Sequence, residues 1–525
     1  MEPIGLVSST MSSPLLISAT GLLLVATVIW FLLNRPKRLD LPVVDIPGNS
    51  DKREALIQGT TRYPDSPFII ITERPTVILP ISVIDEVRNL PENKVSFTKD
   101  VQKVMAYKQT DIGSEADEVL TAVKVDLTRN IAGTLDDLQE EAQYGFDKEF
   151  GPCEDWTPYT FYGKVTRLVS LISGRVFVGR PLSREEEWID ATVQYAYYCM
   201  KATQALHEYP SYLRSIVAPF VTELNDLKKF RRRGAELLRP ILEQLLAKGQ
   251  HEKIYRDDVA DEQGTMLAWI LKYTPEHHRS NADMLANHQM ILSFAAIHTT
   301  SMATTAAIFD LATYPEYIQL LRDEIQQVID EDGQDINGDG IMRLKKASIP
   351  RLWKLDSFLK ESQRFSPPNI VTGTRLTTCD LALSTGHVLP RGTRFGFASW
   401  AVHQSSKPPA LNPILNPLSK PVSQFDGLRF YHARKIAGNE NKHQFVTTSP
   451  DSLSFGHGNH ACPGRFFASN EIKVVLIELL RNWDFRFVGD IKREGGIERR
   501  PKNVFDDVNC IPDMEGKVEL KRRKR

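Results

Sequence analysis

The sequence predicts a mainly α-helical protein with a small β region and one N-terminal transmembrane helix. Apolar residues recur with helical spacing over most of residues 85–279. Short β-branched runs lie outside this stretch, the first of them within Phe68–Leu79. The segment Leu15–Leu33 contains no charged residue. We therefore expect one large helical domain, residues 49–525, behind a membrane anchor.

Composition narrows the class of function. The 525 residues include 65 Lys and Arg against 66 Asp and Glu, a formal net charge of -1. Because the chain has no excess of basic residues to bind phosphates, nucleic-acid binding is excluded as its main function. The five cysteines lack the close spacings of zinc sites or disulfide frameworks, which favours a reducing compartment. They are Cys153, Cys199, Cys379, Cys462 and Cys510.

The N-terminal segment has the length of a membrane span. Leu15–Leu33 makes a helix of about 28 Å, close to the thickness of a hydrocarbon core. A cleaved signal peptide is the competing interpretation, but no cationic segment precedes the run and no clear cleavage site follows it. Arg35, Lys37 and Arg38 follow directly and place the C-terminal side in the cytosol. We therefore expect a short lumenal N-terminus (1–14), an anchor (15–33) and a basic, proline-rich hinge (34–48).

Several local signals locate elements along the domain. The runs on either side of Glu73–Pro75 predict a β-hairpin, and strands are expected near Leu376, Val388–Leu389 and Arg394–Gly396. Pro240 should kink or end the helix that contains it.

A long helix is expected to follow Ser280 and Asp283, whose spacing is that of a capping box, and to end near Thr313 before Pro315.

Two charged segments have ordinary interpretations. Asp335–Gly340 matches the opening of a calcium-binding loop, but Lys346 occupies the twelfth position, where a bidentate Glu is required. We interpret the segment as a polar turn. The basic run Lys521–Arg525 is expected to be a solvated or membrane-surface cluster.

The stretch 454–468 surrounds Cys462 with residues that suit a ligand. Gly456, Gly458 and Gly464 allow tight turns and a close approach to something flat and bulky. Pro463 and Gly464 then lead into an amphipathic helical run. Cys462 should therefore lie in a rigid loop at a helix N-terminus, where free amide N–H groups stabilise a thiolate. A buried structural cysteine is the alternative.

This stretch resembles the haem-binding loop of the cytochromes P-450. The pattern F-x-x-G-x-[RH]-x-C-x-G is matched by Phe455, Gly458, His460, Cys462 and Gly464. The resemblance implies that Cys462 is the axial thiolate ligand of haem iron. It also makes Arg375 and His460 candidates for contact with the haem propionates. The family's W-x-x-x-R pattern is not found, and the nearest cations are Lys124 and Arg129, which are as readily explained as surface charges.

The segment Phe294–Ser301 is similar to the family's [AG]-G-x-[DE]-T-[TS] helix, which passes over the oxygen side of the haem. Thr299 and Thr300 match; Thr299 is expected to hold the distal oxygen while water relays protons. His298 replaces the usual acid, and either assists this relay or pairs with another helix. Ala296 replaces the usual glycine. The combination resembles a fungal subgroup that includes oxidases of diterpene, meroterpene and indole-alkaloid pathways.

A third resemblance concerns structural charges. Glu361 and Arg364 form the family's E-x-x-R pair, one helical turn apart. Arg429 lies in a segment similar to F-x-P-x-R-[FW], with Gly427 in place of proline. The resemblance implies a buried network of these three charges that supports the loop before Cys462.

Together these resemblances imply a cytochrome P-450 fold and a haem-thiolate monooxygenase. The implied cofactors are haem b and O₂, with electrons from a separate NADPH-dependent cytochrome P-450 reductase, because the chain has no G-x-G-x-x-G segment of its own. The implied substrate is an apolar small molecule, a terpenoid or alkaloid, met at the cytosolic face of the endoplasmic reticulum membrane. The alternatives are a haem-thiolate enzyme that rearranges or dehydrates its substrate without a reductase, and a non-catalytic haem-binding protein.

Overall fold

The computed structural model describes residues 39–46, 48, 50–114, 116–252, 265–336, 342–489 and 499–524. The expected lumenal N-terminus, the membrane anchor and residues 34–38 and 47 of the hinge lie outside these residues. The same holds for the turn expected within residues 335–340, of which only the first two residues are described.

Helices make up most of the described chain, as the sequence predicts. The α-helices are α1 Arg53–Arg62, α2 Ile84–Val87, α3 Phe97–Val104, α4 Tyr107–Thr110, α5 Asp117–Ala122, α6 Thr128–Phe150, α7 Phe161–Phe177, α8 Glu186–His207, α9 Arg214–Val217, α10 Thr222–Glu252, α11 Met266–Tyr273, α12 Glu276–Arg279, α13 Ala282–Thr313, α14 Glu316–Asp332, α15 Trp353–Phe365, α16 Ser399–His403, α17 Arg429–Lys435 and α18 Arg465–Asn482. One π-turn, Val123–Leu127, joins α5 to α6.

The β region consists of short strands in small sheets. They are β1 Val43–Val44, β2 Phe68–Ile70, β3 Thr76–Leu79, β4 Val95–Ser96, β5 Thr157–Thr160, β6 Gln334–Ile336, β7 Met342–Leu344, β8 Thr372–Thr377, β9 Leu381–Ala382, β10 Val388–Leu389, β11 Arg394–Phe397, β12 Trp483–Phe487, β13 Val504–Asp506, β14 Asn509–Ile511 and β15 Lys517–Arg522. The largest sheet has the order β1-β2-β3-β11-β8-β4. The predicted hairpin is confirmed, since β2 and β3 pair antiparallel with Phe68 opposite Ile78.

Helix α13 is the centre of the helical part. It packs against α7, α8, α10, α15 and α18. It is long and apolar enough to cross a membrane by composition, but 56% of its most apolar window is buried inside the protein. An interior helix of a large core has this composition too. We therefore treat α13 as a core helix and the support on which the site is built.

Three local expectations differ from the structure. The N-cap of α13 is Asn281, whose side chain accepts from the Met284 amide, so the Ser280 capping box is wrong. Of the two effects expected of Pro240, a helix end is wrong, because helix α10 continues through it. The basic C-terminal run is not simply solvated, because β15 extends to Arg522 and pairs with both β5 and β12.

Candidate active site

The Cys462 loop is held in a tight conformation by its glycines. Gly456 and Gly458 have φ values of 69° and 78°, which favour glycine. At Gly458 a Cβ atom would also lie 2.6 Å from the carbonyl oxygen of Arg88. The Cys462 amide donates to the Phe455 carbonyl at 2.7 Å and closes the loop. Helix α18 begins at Arg465, so Cys462 does lie just before a helix N-terminus, as predicted.

The Cys462 thiol is partly buried and surrounded by backbone donors. Burial raises its pKa, while hydrogen bonds from the Gly464 and Arg465 amides and the Arg465 charge oppose this without cancelling it. The helix N-terminus alone therefore does not make Cys462 a thiolate. A bound metal cation deprotonates a coordinating thiol outright, so this environment suits a metal ligand.

Arg375 is a buried cation that lacks a carboxylate partner. It lies on β8 and is 7% exposed. Its guanidinium donates to the Thr374 carbonyl at 2.6 Å and lies 5.2 Å from the centre of the Phe97 ring. Within the described chain no carboxylate oxygen lies within 4.0 Å of it, and burial lowers the pKa of Arg375 to about 10. A buried cation of this kind fits an anionic group of a bound molecule.

Arg375 and Lys124 both lie near His460. The His460 ring is 5.8 Å from the Phe97 ring and its Nε2 is 3.6 Å from a Glu92 carboxylate oxygen. Burial, together with the positive charges of Arg375 and Lys124, lowers the pKa of His460. The sequence named Lys124 only as one of two nearby cations. Its place in the π-turn is a signal for function that the sequence pattern does not reveal.

The middle of α13 presents one of its candidate hydroxyls on an accessible surface. Ala295 and Thr299, one turn apart, are exposed, whereas Thr300 and Ser301 are 3% and 0% exposed. The Thr299 hydroxyl donates to the Ala295 carbonyl at 2.8 Å, which leaves its lone pairs available as acceptors. Thr300 instead faces the core. The helix is continuous through this region.

His298 contacts a neighbouring helix. Its Nδ1 lies 3.3 Å from the hydroxyl of Tyr162 on α7. Burial lowers the pKa of His298 and raises the pKa of Tyr162 to about 12, so both groups are neutral near pH 7. Of the two roles open to His298 from the sequence, this contact favours pairing with another helix over proton relay.

The three structural charges are in contact, as the resemblance implies. Arg364 on α15 binds Glu361 through two hydrogen bonds of 2.8 and 2.9 Å. The Nε of Arg429 lies 3.2 and 3.3 Å from the two Glu361 oxygens, and none of the three side chains is more than 3% exposed. Gly427 has a packing reason, because a Cβ there would lie 2.7 Å from the Phe358 ring.

The donor set fits haem better than a free metal ion. Among the described residues there is no group of three or more His, Cys, Asp or Glu that could hold a metal. A metal bound to this protein through Cys462 must therefore bring its other ligands with it, as iron in a porphyrin does. Arg375 and Lys124 supply cations, and His460 supplies a ring N–H, for the two carboxylates of such a group. The structure thus brings Cys462, Phe455, Gly458, His460 and Gly464 into one loop and places Arg375 beside it. Lys124 and Arg129 are both exposed, and of the two only Lys124 lies near His460.

Comparison with known proteins gives concordant results. The family model described as Cytochrome P450 matches residues 161–495. The chain is 49% identical to "Cytochrome P450 monooxygenase ascG" of Acremonium egyptiacum over 98% of this chain and 97% of that protein. It is 42% identical to "Cytochrome P450 monooxygenase BOA7" of Botryotinia fuckeliana, covering 94% and 91% of the two chains.

Similarity to a solved structure supports the fold. The structure "Retinoic acid bound cyanobacterial CYP120A1" matches with a TM-score of 0.61 over 93% of this chain and all of that one, at 14% sequence identity. The predicted fold class is therefore confirmed for the described residues. The family match and the fungal relatives show that the chain belongs to the cytochrome P450 monooxygenases, oxidoreductases that use haem and O₂.

Proposed function

We propose that this chain inserts one oxygen atom of O₂ into an apolar small molecule, a terpenoid or alkaloid secondary metabolite, using electrons from an NADPH-dependent reductase. The observation that carries the proposal is the Cys462 loop, in which a single thiol is held between backbone amides at the start of α18. When bound there, haem supplies the oxygen activation that is characteristic of the family.

The residues of this chain have distinct parts in that reaction. The Cys462 sulfur would hold the iron, and Arg375, His460 and Lys124 would hold the propionates. The Thr299 hydroxyl lies on an accessible face of an otherwise buried helix segment and donates its proton to the Ala295 carbonyl, so its Oγ1 would accept a hydrogen bond from a water molecule that relays protons. His298 and Tyr162 keep α13 and α7 in register.

The cellular setting is part of the same proposal. The uncharged segment Leu15–Leu33 and the cations that follow it support a single-pass anchor in the endoplasmic reticulum membrane with the haem domain in the cytosol. An apolar substrate would then reach the enzyme from the lipid phase. Resistance of the full chain to carbonate extraction, and its loss when residues 1–33 are deleted, tests the anchor.

The experiment that tests the function uses microsomes that contain this chain and a reductase. They are incubated with NADPH and a panel of terpenoids and indole alkaloids. We expect an NADPH-dependent product whose mass has increased by one oxygen atom. A product that forms equally well without NADPH or reductase would overturn the proposal in favour of rearrangement or dehydration.

A variant identifies the ligand. Cys462→Ser is expected to remove the long-wavelength absorption band of the reduced, CO-bound protein, because serine does not provide a thiolate. A retained band would contradict ligation by Cys462.

A further inference from the structure

A second group of buried charges, apart from the Glu361 triad, joins α15 to α18. We propose that Asp356, Lys360 and Lys473 form a clamp that fixes the chain on both sides of the Cys462 loop and so positions the thiol. The inference rests on the proposed function of Cys462 as the haem ligand. The three clamp residues are 3%, 6% and 6% exposed, respectively.

Asp356 joins the segment before the loop to the helix after it. Its Oδ2 accepts from the Phe445 amide at 2.8 Å. Its Oδ1 accepts from the Lys473 ammonium at 2.5 Å, and Lys473 lies on α18, which follows Cys462 directly. Arg434 adds a weaker contact to the same carboxylate, 3.7 Å from Oδ2. One carboxylate therefore ties together α15, residue 445 and α18.

Lys360 fixes the segment before the loop at further points. It lies one helical turn after Asp356, on the same face of α15. Its ammonium donates to the carbonyls of Gln444 and Thr447 at 2.9 and 3.2 Å and to the hydroxyl of Ser452 at 2.9 Å. An ammonium group has three N–H donors, and all three have an acceptor here. The segment 444–452 is thus held to α15 at residues 444, 445, 447 and 452.

The route from the clamp to the cysteine is short. The Phe445 ring packs edge-on against the Phe455 ring, with centroids 5.3 Å apart and planes at 73°. The Phe455 carbonyl accepts from the Cys462 amide at 2.7 Å. A shift of Phe445 would therefore move the backbone group that holds Cys462. In a close-packed interior such a shift is transmitted to the neighbouring groups.

The Glu361 triad has different contacts. Its hydrogen bonds go to the carbonyls of residues 403, 420, 421 and 424, to the side chain of Gln404 and to the amide of Asp426. In the described part of the chain none of them reaches residues 444–462. The clamp therefore makes the direct contacts with the segment that leads into the loop. Burying the charges of the clamp costs free energy, and apolar side chains of similar volume would often give a protein of equal stability. Stability alone therefore does not explain these charges, whereas fixing the segment before the loop does.

The test compares haem-loaded full-length variants. Lys360→Met and Lys473→Met each remove one arm of the clamp, and Glu141→Gln is the control. Glu141 is 0% exposed and binds Arg180 and Arg184, but it lies on α6 and contacts no part of the loop. The readouts are the rate of haem transfer to apomyoglobin and the position of the CO band.

We expect the two Met variants to lose haem roughly tenfold faster or more, as is typical when groups that support a metal ligand are removed. Part of their CO band should move to the shorter wavelength of a protein without thiolate ligation. Glu141→Gln should lower the unfolding temperature and leave both readouts unchanged. If the Met variants behave like Glu141→Gln, the clamp has no positioning role.

A double variant separates position from stability. Asp356→Leu with Lys473→Met removes both members of the closest buried ion pair and leaves only the weaker Arg434 contact unfilled, so its unfolding temperature should recover in part relative to Lys473→Met. The altered CO band should persist, because the Phe445 amide has lost its acceptor. Recovery of the normal band would overturn the proposal. A normal band in the clamp variants together with its absence in Cys462→Ser would refute the clamp alone, whereas a normal band in Cys462→Ser would refute the proposed function.

Discussion

At the scale of single residues, the three candidates on α13 show what a sequence motif leaves open. His298, Thr299 and Thr300 are consecutive, so they point in directions about 100° apart around the helix. Thr299 is exposed, Thr300 is buried in the core, and His298 contacts Tyr162 on α7. The motif provides residue types suited to proton transfer. Which side chain faces the open side depends on how α13 packs against its neighbours.

Thr299 is expected to determine how much of the consumed NADPH yields oxygenated product rather than hydrogen peroxide. Thr299→Ala removes the accessible hydroxyl, so protons are misdirected and reducing equivalents go to hydrogen peroxide. Product per NADPH should fall roughly tenfold or more. Ser301→Ala is the matched control, because Ser301 makes the same kind of bond to a carbonyl one turn earlier, at 2.6 Å, but is fully buried. Undiminished product per NADPH in Thr299→Ala would contradict the role.

His298 is expected to act through packing. Tyr162→Phe leaves the buried Nδ1 of His298 without its partner, which should cost about 1–3 kcal/mol of the free energy of unfolding. Product per NADPH and the solvent isotope effect on turnover should stay near those of the unmodified protein. Both variants are measured side by side. If product per NADPH falls as much in Tyr162→Phe as in Thr299→Ala, His298 and Tyr162 take part in proton transfer.

At the scale of secondary structure, the start of α13 illustrates a limit of local patterns. Both Ser280 and Asn281 are good capping residues, and the spacing to Asp283 favours Ser280. In the structure Ser280 already has helical backbone angles at the end of α12, so Asn281 takes the cap. Asp283 is ion-paired with Arg239 of α10 at 2.7 Å. Neither fact is contained in the local spacing.

The cap can be tested directly. Asn281→Ala should lower the free energy of unfolding by about 1 kcal/mol, because the Met284 amide loses its acceptor. Ser280→Ala should change it by less than about 0.5 kcal/mol. The measurement is chemical denaturation of both variants under one condition. Equal losses would indicate that the two residues share the cap.

Helix α15 shows the same limit for charges. The pair Glu361 and Arg364 is local, one turn apart, and the sequence reveals it. The partners of Asp356 and Lys360 are about 85 to 115 residues away, at Phe445 and Lys473 among others. A charged helix of this composition is usually exposed on one side. Here ten of its residues are buried, which only the assembled fold determines.

At the scale of the whole molecule, the sequence predicts the helical class, the hairpin and the cysteine loop, but not how the C-terminal strand joins the rest of the domain. Strand β15 lies between β5, near residue 160, and β12. Lys521 and Arg522 of the basic run bind Asp155 and Asp147 at 3.1 and 2.6 Å. Alternation of apolar and polar residues predicts that a segment forms a paired strand. It does not predict which strand is the partner when that partner is more than 350 residues away.

The pH dependence of the stability of the molecule should depend in part on one carboxyl group that links distant helices. Glu471 on α18 is fully buried and accepts from the Ser173 hydroxyl of α7 at 2.6 Å. Burial raises the pKa of Glu471 to about 8. In the unfolded chain a Glu titrates near pH 4.3. Between these values the folded protein holds a proton that the unfolded chain releases.

Stability from this group is therefore fully present below about pH 4.3, falls as pH rises, and is lost above pH 8. Glu471→Gln does not titrate, so its unfolding temperature should vary less between pH 5 and 8, by an amount equivalent to a few kcal/mol in the free energy of unfolding. Ser173→Ala keeps the carboxyl group and should keep the slope at a lower overall stability. Identical slopes in Glu471→Gln and the unmodified protein would show that this carboxyl group titrates normally, and that α7 and α18 tolerate a charge between them.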